Sequence, residues 1–276
     1  MTPRDAPPQS ASPHSAAPSV LATRRGPTIG FLHTSEVHVP VFDALLAGLD
    51  PDATAVTTVD PDLLVRACAG TGPEDLTAAV RSALSDLADA GAQVVVCTCS
   101  TIGSLAEAAS GADGVPVLRV DRPMVDRAVR TPPGRAGAPV QILVAVALAS
   151  TLGPTTDLLR TSATAAGRAV AVEVLRCDEA WPLFDAGRSE EFAAAVADLV
   201  VAAVVTDSAG EASRPDVVVL AQASMAPAAE LLADLGVPVL ASPREAVRRA
   251  LDLAPRTDPA EPTGPTVLGA PGGLSG

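Results

Sequence analysis

One cysteine-containing stretch, Gln93-Val-Val-Val-Cys-Thr-Cys-Ser-Thr-Ile-Gly-Ser-Leu-Ala-Glu107, has residue types and a spacing that could do chemistry. Its three consecutive valines predict a short buried strand, and the residues from Ser104 onward predict the start of a helix. Cys99 is therefore expected where a strand leads into a helix. Unpaired N–H groups and the positive end of a helix dipole can hold an anion there and lower the pKa of a thiol. The stretch predicts a thiolate beside an anion site.

The same pattern occurs a second time, in Val217-Val-Val-Leu-Ala-Gln-Ala-Ser-Met-Ala-Pro-Ala-Ala-Glu230. Val94 matches Val217 at an offset of 217 − 94 = 123, so Cys99 corresponds to Gln222. Both copies lead into Gly-Val-Pro-Val-Leu. Repeats of this length predict two similar lobes whose equivalent loops face each other across a cleft.

A weaker pair aligns His33-Thr-Ser-Glu-Val-His-Val-Pro40 with Ala147-Leu-Ala-Ser-Thr-Leu-Gly-Pro154, at an offset of 147 − 33 = 114. Imidazole titrates near neutral pH, so His33 is the candidate for a second acid or base, with a capping or solvated histidine as the alternative. Hydroxyl residues in the loops could bind a substrate carboxylate or, individually, cap helices. The candidates are Thr34, Ser35, Ser100, Thr101, Ser150, Thr151 and Ser224.

Strands alternate with helices along the chain, which predicts an α/β fold of two pseudo-symmetric lobes, each a short parallel sheet flanked by helices, with the active-site cleft between them. Lobe 1 is predicted to contain residues 27–122 and about 241–255, and lobe 2 residues 123–240. Residues 1–26 and 256–276 are predicted to be disordered tails because they lack hydrophobic periodicity. Sites in such folds lie at the carboxyl ends of strands, so four residues are expected on loops at one edge of each sheet: His33, Cys99, Ser150 and Gln222.

Composition excludes several classes of function. The 276 residues carry a net charge of −13 with no basic cluster, which argues against nucleic acid or an anionic membrane as a partner. All 19 basic residues are arginine, which excludes a lysine Schiff base. The four cysteines form neither a CxxC pair nor a zinc pattern, which predicts reduced thiols in a cytoplasmic protein and no metal site.

The order of these motifs resembles that of the aspartate/glutamate/hydantoin racemase superfamily, over about residues 27 to 255. Cys99-Ser100-Thr101 is similar to the family's Cys-Asn-Thr, Ala149–Thr155 to its Ala-Thr-x-x-Thr stretch, and Leu220–Met225 to the Leu-Gly-Cys-Ala-Gly-Met of hydantoin-racemase-like members. In that family one thiolate removes the α-proton and a second thiol returns one, without cofactor or metal. The resemblance implies an isomerase acting on a small carboxylate or amino-acid-like substrate. It also allows a homodimer, since dimers are common in the family.

This sequence departs from the family at the second cysteine, where it has Gln222. An amide neither takes nor gives protons at neutral pH, so Gln222 is expected to hydrogen-bond the substrate. Three functions stay open. The first is racemisation or isomerisation with Cys99 as acid/base or nucleophile, as in racemases and maleate isomerases. The second is decarboxylation, as in arylmalonate decarboxylases, where one thiol protonates an enediolate-like intermediate. The third is a non-catalytic carboxylate-binding protein.

The other cysteines and His38 are expected to be structural. Cys97 lies inside the predicted strand, where a thiol packs as a small apolar group, and Cys99 itself could do the same. Cys68 and Cys177 match no site motif. His38 precedes Pro40 at a helix start, where a histidine is more often structural than catalytic.

Overall fold

Two parallel four-stranded β-sheets form the framework of the protein, in a computed structural model that describes residues 26–70, 72–110, 114–206 and 214–255. The predicted tails lie outside these ranges, apart from Gly26. Sheet 1 contains β1 (Thr28–His33), β2 (Thr54–Val59), β3 (Val94–Cys97) and β4 (Val117–Arg119), in the order β2-β1-β3-β4. Sheet 2 contains β5 (Val140–Val146), β6 (Val170–Arg176), β7 (Val217–Leu220) and β8 (Val239–Ala241), in the order β6-β5-β7-β8.

Ten α-helices in the described residues pack around the sheets: α1 (Val39–Leu49), α2 (Pro61–Cys68), α3 (Pro73–Asp89), α4 (Gly103–Ala108), α5 (Arg122–Val129), α6 (Ala149–Ala165), α7 (Trp181–Asp185), α8 (Ser189–Thr206), α9 (Ala228–Leu231) and α10 (Ser242–Leu253). The central strands β3 and β7 are buried along their whole length, because helices cover both faces of each sheet. The predicted α/β fold of two parallel sheets flanked by helices is confirmed. None of the described helices is long and apolar enough to cross a membrane.

The last helix of each half packs on the sheet of the other half. Helix α5 follows β4 of sheet 1, yet its Met124 and Val125 belong to the same apolar cluster as Ile142 of sheet 2. Helix α10 follows β8 of sheet 2, yet its Val247 packs in the cluster that contains Ile29 of sheet 1. The two helices also contact each other. Sequence analysis did not predict α5, because an eight-residue helix has too few turns to show a clear hydrophobic period.

The two sheets have equivalent registers, which corrects one predicted alignment. Ile29 of β1 pairs with Val94, and Ile142 of β5 pairs with Val217, so the offset between β1 and β5 is 142 − 29 = 113. His33 therefore corresponds to Val146, and the predicted match with Ala147 is wrong by one residue. That match followed the prolines of the loops, whereas the strand positions are set by the backbone hydrogen bonds of the sheet.

Candidate active site

A cavity opens between the lobes at the carboxyl ends of the central strands. Its volume is about 600 Å³ when the open mouth is included. Eight of the ten predicted site residues line it: Thr34, Ser35, Cys99, Ser100, Thr101, Thr151, Gln222 and Ser224. His33 and Ser150 do not line it. The predicted cleft between the lobes is therefore present as a cavity with polar walls.

Cys99 lies two residues beyond the end of β3 and four residues before α4. Four hydrogen-bond donors near its sulfur lower the pKa of the thiol: the backbone N–H groups of Thr101 and Ile102 and the hydroxyls of Thr34 and Thr101. These donors favour the thiolate over the thiol. Cys99 is partly exposed and lines the cavity, whereas the other cysteines do not.

Burial nevertheless raises the pKa of the Cys99 thiol above its ordinary value, and the four hydrogen bonds only partly oppose this rise. The prediction of a lowered pKa is thus wrong in direction. It relied on the dipole of the following helix, but α4 has only six residues and the cost of removing a thiolate from water is larger. In the resting protein at neutral pH, Cys99 is therefore a thiol that can donate a proton.

Gln222 occupies the position in lobe 2 that Cys99 occupies in lobe 1. Its side-chain oxygen accepts hydrogen bonds from the backbone N–H of Ala147 (2.6 Å) and of Leu148 (3.1 Å). Because two backbone N–H groups donate to this atom, it must be the amide oxygen and not the amide nitrogen. The orientation of the amide is therefore fixed. The NH₂ group is left as the part that can meet a ligand. This loop can donate a hydrogen bond, but it has no group that exchanges protons.

Hydroxyl groups from both lobes meet at one edge of the cavity. Ser100 Oγ donates to the carbonyl oxygen of Ala221 at 2.9 Å, and Thr101 Oγ1 lies 3.3 Å from Ser150 Oγ and 3.2 Å from Thr151 Oγ1. These bonds hold the Cys99 loop against lobe 2. The Ser100 hydroxyl is engaged by the protein itself, so its predicted role in binding substrate has no support from its contacts.

Ser150 and Thr151 lie in the first turn of α6, which begins at Ala149, so Ser150 is not on a loop as predicted. Proline is common at the first position of a helix, and α6 contains Pro154. Here it lies inside the helix, at the cost of one backbone hydrogen bond. The start at Ala149 places Ser150 on the helix and brings its hydroxyl to Thr101.

Ser224 is a candidate ligand-binding hydroxyl. It lines the cavity, and its Oγ is buried without a hydrogen-bond partner among the described residues. An unpaired buried hydroxyl costs about 1–3 kcal/mol, which a ligand oxygen in the cavity would offset. The role of Ser224 in holding a carboxylate stays a prediction.

His33 is the last residue of β1, and its ring is fully buried. Thr98 Oγ1 donates to the carbonyl oxygen of Leu32 at 3.1 Å, so it accepts a hydrogen bond from His33 Nδ1 at 2.8 Å. The ring is therefore protonated at Nδ1, and its Nε2 has no partner among the described residues. Burial and the neighbouring His38 lower the pKa of His33 to about 4, so it is neutral at physiological pH.

His38, which sequence analysis treated as structural, does line the cavity. Its ring stacks on Phe184 of lobe 2 with 5.9 Å between centroids, and burial lowers its pKa to about 4. The sequence does show that His38 lies in the loop after β1. It does not show the contact with Phe184, because the two residues are 184 − 38 = 146 positions apart in the chain.

A buried ion pair below the site was also missed. Arg119 makes two hydrogen bonds to Asp121, of 2.6 and 2.7 Å, and donates a third to the carbonyl oxygen of Pro154 at 3.3 Å. A Cβ on Gly103 would lie 3.1 Å from that of Arg119, so the glycine makes room for the arginine at the start of α4. Bidentate pairs of this kind are geometrically specific, and this one connects sheet 1 to α6.

Comparisons with known proteins found similar structures but no similar sequence. No family model and no curated protein sequence matches the chain. An aspartate racemase homologue from Pyrococcus horikoshii is 13% identical with a TM-score of 0.59, over 82% of this chain and 98% of that one. Glutamate racemase from Francisella tularensis in complex with D-glutamate is 15% identical with a TM-score of 0.58, over 85% of each chain. Allantoin racemase from Klebsiella pneumoniae is 16% identical with a TM-score of 0.52, over 83% and 87%. The resemblance predicted from the sequence is confirmed at the level of the fold.

Proposed function

We propose that this protein is a cofactor-independent enzyme of the racemase/isomerase class, in which Cys99 transfers a proton at the α-carbon of a small carboxylate. The observation that carries the proposal is the position of Cys99, a cavity-lining thiol surrounded by four hydrogen-bond donors at the carboxyl end of β3. The racemases described above share the fold, which supports this class of reaction.

The polar groups of the cavity suit a carbanion mechanism. Loss of the α-proton moves charge onto the substrate carboxylate, giving an enediolate-like intermediate, and hydroxyl donors such as those of Thr34 and Ser224 would stabilise that charge. When the Cys99 thiol protonates the carbon, the remaining thiolate is held by the N–H groups of Thr101 and Ile102. The reverse step returns the proton to sulfur, so a single residue can exchange the α-proton on one face.

Inversion at the α-carbon requires a base on one face and an acid on the other, and Gln222 can be neither. We assign the base to His38, because it lines the cavity and its neutral ring can accept the α-proton, while the Cys99 thiol donates a proton to the opposite face. His33 was the predicted candidate, and its ring lies behind His38 with 6.3 Å between centroids.

One alternative is favoured by a specific observation. A resting thiol opposite a non-titrating amide is suited to protonating an enediolate on a single face. In a decarboxylase the bond from the α-carbon to one carboxylate breaks, its electrons form the enediolate, carbon dioxide leaves, and the Cys99 proton goes to carbon. Water then restores the thiol proton.

Deuterium exchange distinguishes these functions. The protein, Cys99→Ala and Cys177→Ala would be incubated in heavy water with amino acids, hydantoins, and 2-aryl and 2-hydroxy acids, and followed by NMR. Cys177 is buried in lobe 2, so its substitution is the matched control for losing a thiol. We expect α-deuteration that requires Cys99 and survives Cys177→Ala. Carbon dioxide release from 2-substituted malonates would identify the decarboxylase. The absence of both reactions would contradict the proposal and leave a carboxylate-binding protein.

A further inference from the structure

The aromatic residues of the protein are gathered at the cavity. The chain has four phenylalanines, one tryptophan and no tyrosine, and all five rings belong to one continuous cluster with the rings of His33 and His38. The contact between the rings of His38 and Phe184 joins the lobe 1 part of the cluster to the lobe 2 part. Of the five phenylalanine and tryptophan rings, those of Trp181 and Phe184 line the cavity, and the other three pack behind them in the cluster.

Three of these rings form a wall of the cavity. Trp181, Phe184 and His38 line it together with Leu64 and Leu148, and Trp181 packs on Phe184 with 5.0 Å between centroids. Phe184 also contacts the buried Phe192 behind it, which fixes the plane of its ring. The ring of Phe184 is inclined by 25° to that of His38 and by 36° to that of Trp181. Trp181 and Phe184 both belong to the short helix α7.

The charges of the cavity do not fit a second carboxylate. No arginine lines the cavity in the described part of the chain, and the chain has no lysine. Asp185 at the end of α7 contributes a negative charge to the lining and is exposed. The described lining of the cavity therefore offers a second carboxylate no cationic partner, and Asp185 would repel it.

We propose that the ligand of this site is a monocarboxylate with a flat apolar substituent, whose carboxylate meets the hydroxyl groups around Cys99 and whose planar group packs on Trp181 and Phe184. This rests on the proposed function, because it names the substrate class of the same cavity. Aromatic faces prefer planar apolar partners and gain from offset stacking beyond the area that they bury. Trp181 and Phe184 are therefore specificity-determining residues.

The single tryptophan makes the test direct, because intrinsic fluorescence reports on Trp181 and on no other residue. The full-length protein would be titrated with phenylacetate, acetate and glutarate at neutral pH. We expect phenylacetate to shift the Trp181 emission and to bind about tenfold or more tightly than acetate, since it buries a phenyl face. Equal binding of acetate, or tighter binding of glutarate, would overturn the proposal.

Two matched substitutions locate the effect. Phe184→Leu keeps an apolar side chain but removes the flat face, and should weaken phenylacetate binding about three- to tenfold without changing acetate binding. Phe31→Leu makes the same change in a ring of the cluster that does not line the cavity, and should leave both affinities unchanged. If the two variants have comparable melting temperatures and weaken phenylacetate binding equally, the aromatic wall would affect binding only through the stability of the ring cluster.

Cys99→Ala separates this inference from the proposed function. It should keep the preference for phenylacetate while losing proton exchange, because the aromatic wall is intact. A preference for phenylacetate without any Cys99-dependent exchange would defeat the proposed function alone. The opposite outcome would be exchange that requires Cys99 but is equally fast for alkyl and aryl substrates, with no preference in binding. It would contradict the proposed substrate class and leave the proposed function intact.

Discussion

The loop after β3 and the loop after β7 occupy equivalent places in the two sheets but have different chemistry. The first, here called the Cys99 loop (residues 98–102), turns its donors inward to a thiol that faces the cavity. The second, the Gln222 loop (residues 221–225), has an amide whose oxygen is bound by the N–H groups at the end of β5. One loop can move a proton, whereas the other can only hold a ligand.

This difference shows that a repeated backbone does not imply repeated roles. In lobe 1, donors from the Cys99 loop and from Thr34 favour a charged sulfur. In lobe 2, the N–H groups of Ala147 and Leu148 satisfy a side chain of the protein itself. Gln222 thereby removes two N–H groups from those available to a substrate. The predictions that follow test whether the two loops differ as sharply in solution.

The largest expected difference is in activity. Cys99→Ala should lower α-proton exchange by about 10²- to 10⁴-fold, because it removes the proton-transferring group. Gln222→Ala should lower exchange by about tenfold or less, since only a hydrogen bond to the ligand is lost. Exchange rates from NMR in heavy water measure both. Similar losses in the two variants would show that both loops take part in proton transfer.

Substitution of Gln222 should affect the stability of the protein more than its activity. Gln222→Ala leaves the N–H groups of Ala147 and Leu148 without their acceptor, and should lower the free energy of unfolding by about 2–4 kcal/mol. Gln222→Glu keeps an oxygen at this position and should lose less. Urea denaturation measures both variants against the parent. A change below about 0.5 kcal/mol in Gln222→Ala would mean that water replaces the amide at no cost.

Acidification should act through lobe 1, because His33 and His38 lie there and lobe 2 has no histidine. Burial lowers both pKa values from 6.5 to about 4, so between these values the unfolded chain binds more protons than the folded one. Stability is therefore complete above about pH 6.5 and falls as the pH drops towards 4, by at most about 3 kcal/mol for His33.

His33→Asn keeps a donor towards Thr98 but cannot titrate, so it should remove about half of this dependence and leave the part that is due to His38. Urea midpoints measured between pH 4 and 7 provide the test. An unchanged slope in the variant would show that His33 does not bear the lowered pKa in solution.

The smallest expected effects concern two serines, one in the Cys99 loop and one in the Gln222 loop. Ser100→Ala removes a hydrogen bond to the Ala221 carbonyl and should cost about 1 kcal/mol of stability. Ser224→Ala removes a hydroxyl that has no partner among the described residues, so stability should stay within about 0.5 kcal/mol or rise. The same Ser224 variant should weaken carboxylate binding, measured by Trp181 fluorescence. Unchanged carboxylate binding would remove Ser224 from the site.

The features of the fold that the sequence predicted are those that depend on a local pattern of residues. The valine runs of β3 and β7 indicated buried parallel strands, and their repeat paired Cys99 with Gln222 in the two lobes. These features are readable because hydrophobic periodicity and strand-to-helix junctions are encoded within a few residues. Cys99 was identified for the same reason.

What sequence could not predict depends on contacts between distant parts of the chain. The pKa of Cys99 moves upward because of burial by both lobes, which no local motif reports. His38 becomes part of the cavity through Phe184, and Arg119 is buried against Asp121 and the α6 backbone. The one-residue error at His33 arose because loop prolines were aligned where strand hydrogen bonds decide the register.

The crossing of α5 and α10 has a consequence for how the molecule unfolds. Each half covers its neighbour's sheet with its own last helix, so a half taken alone would expose the apolar cluster that the missing helix buries. The two sheets therefore share one cooperative transition, with no intermediate in which a single sheet keeps its native packing. A chain cut in the loop 131–139 would yield two complementary fragments that fold only in each other's presence.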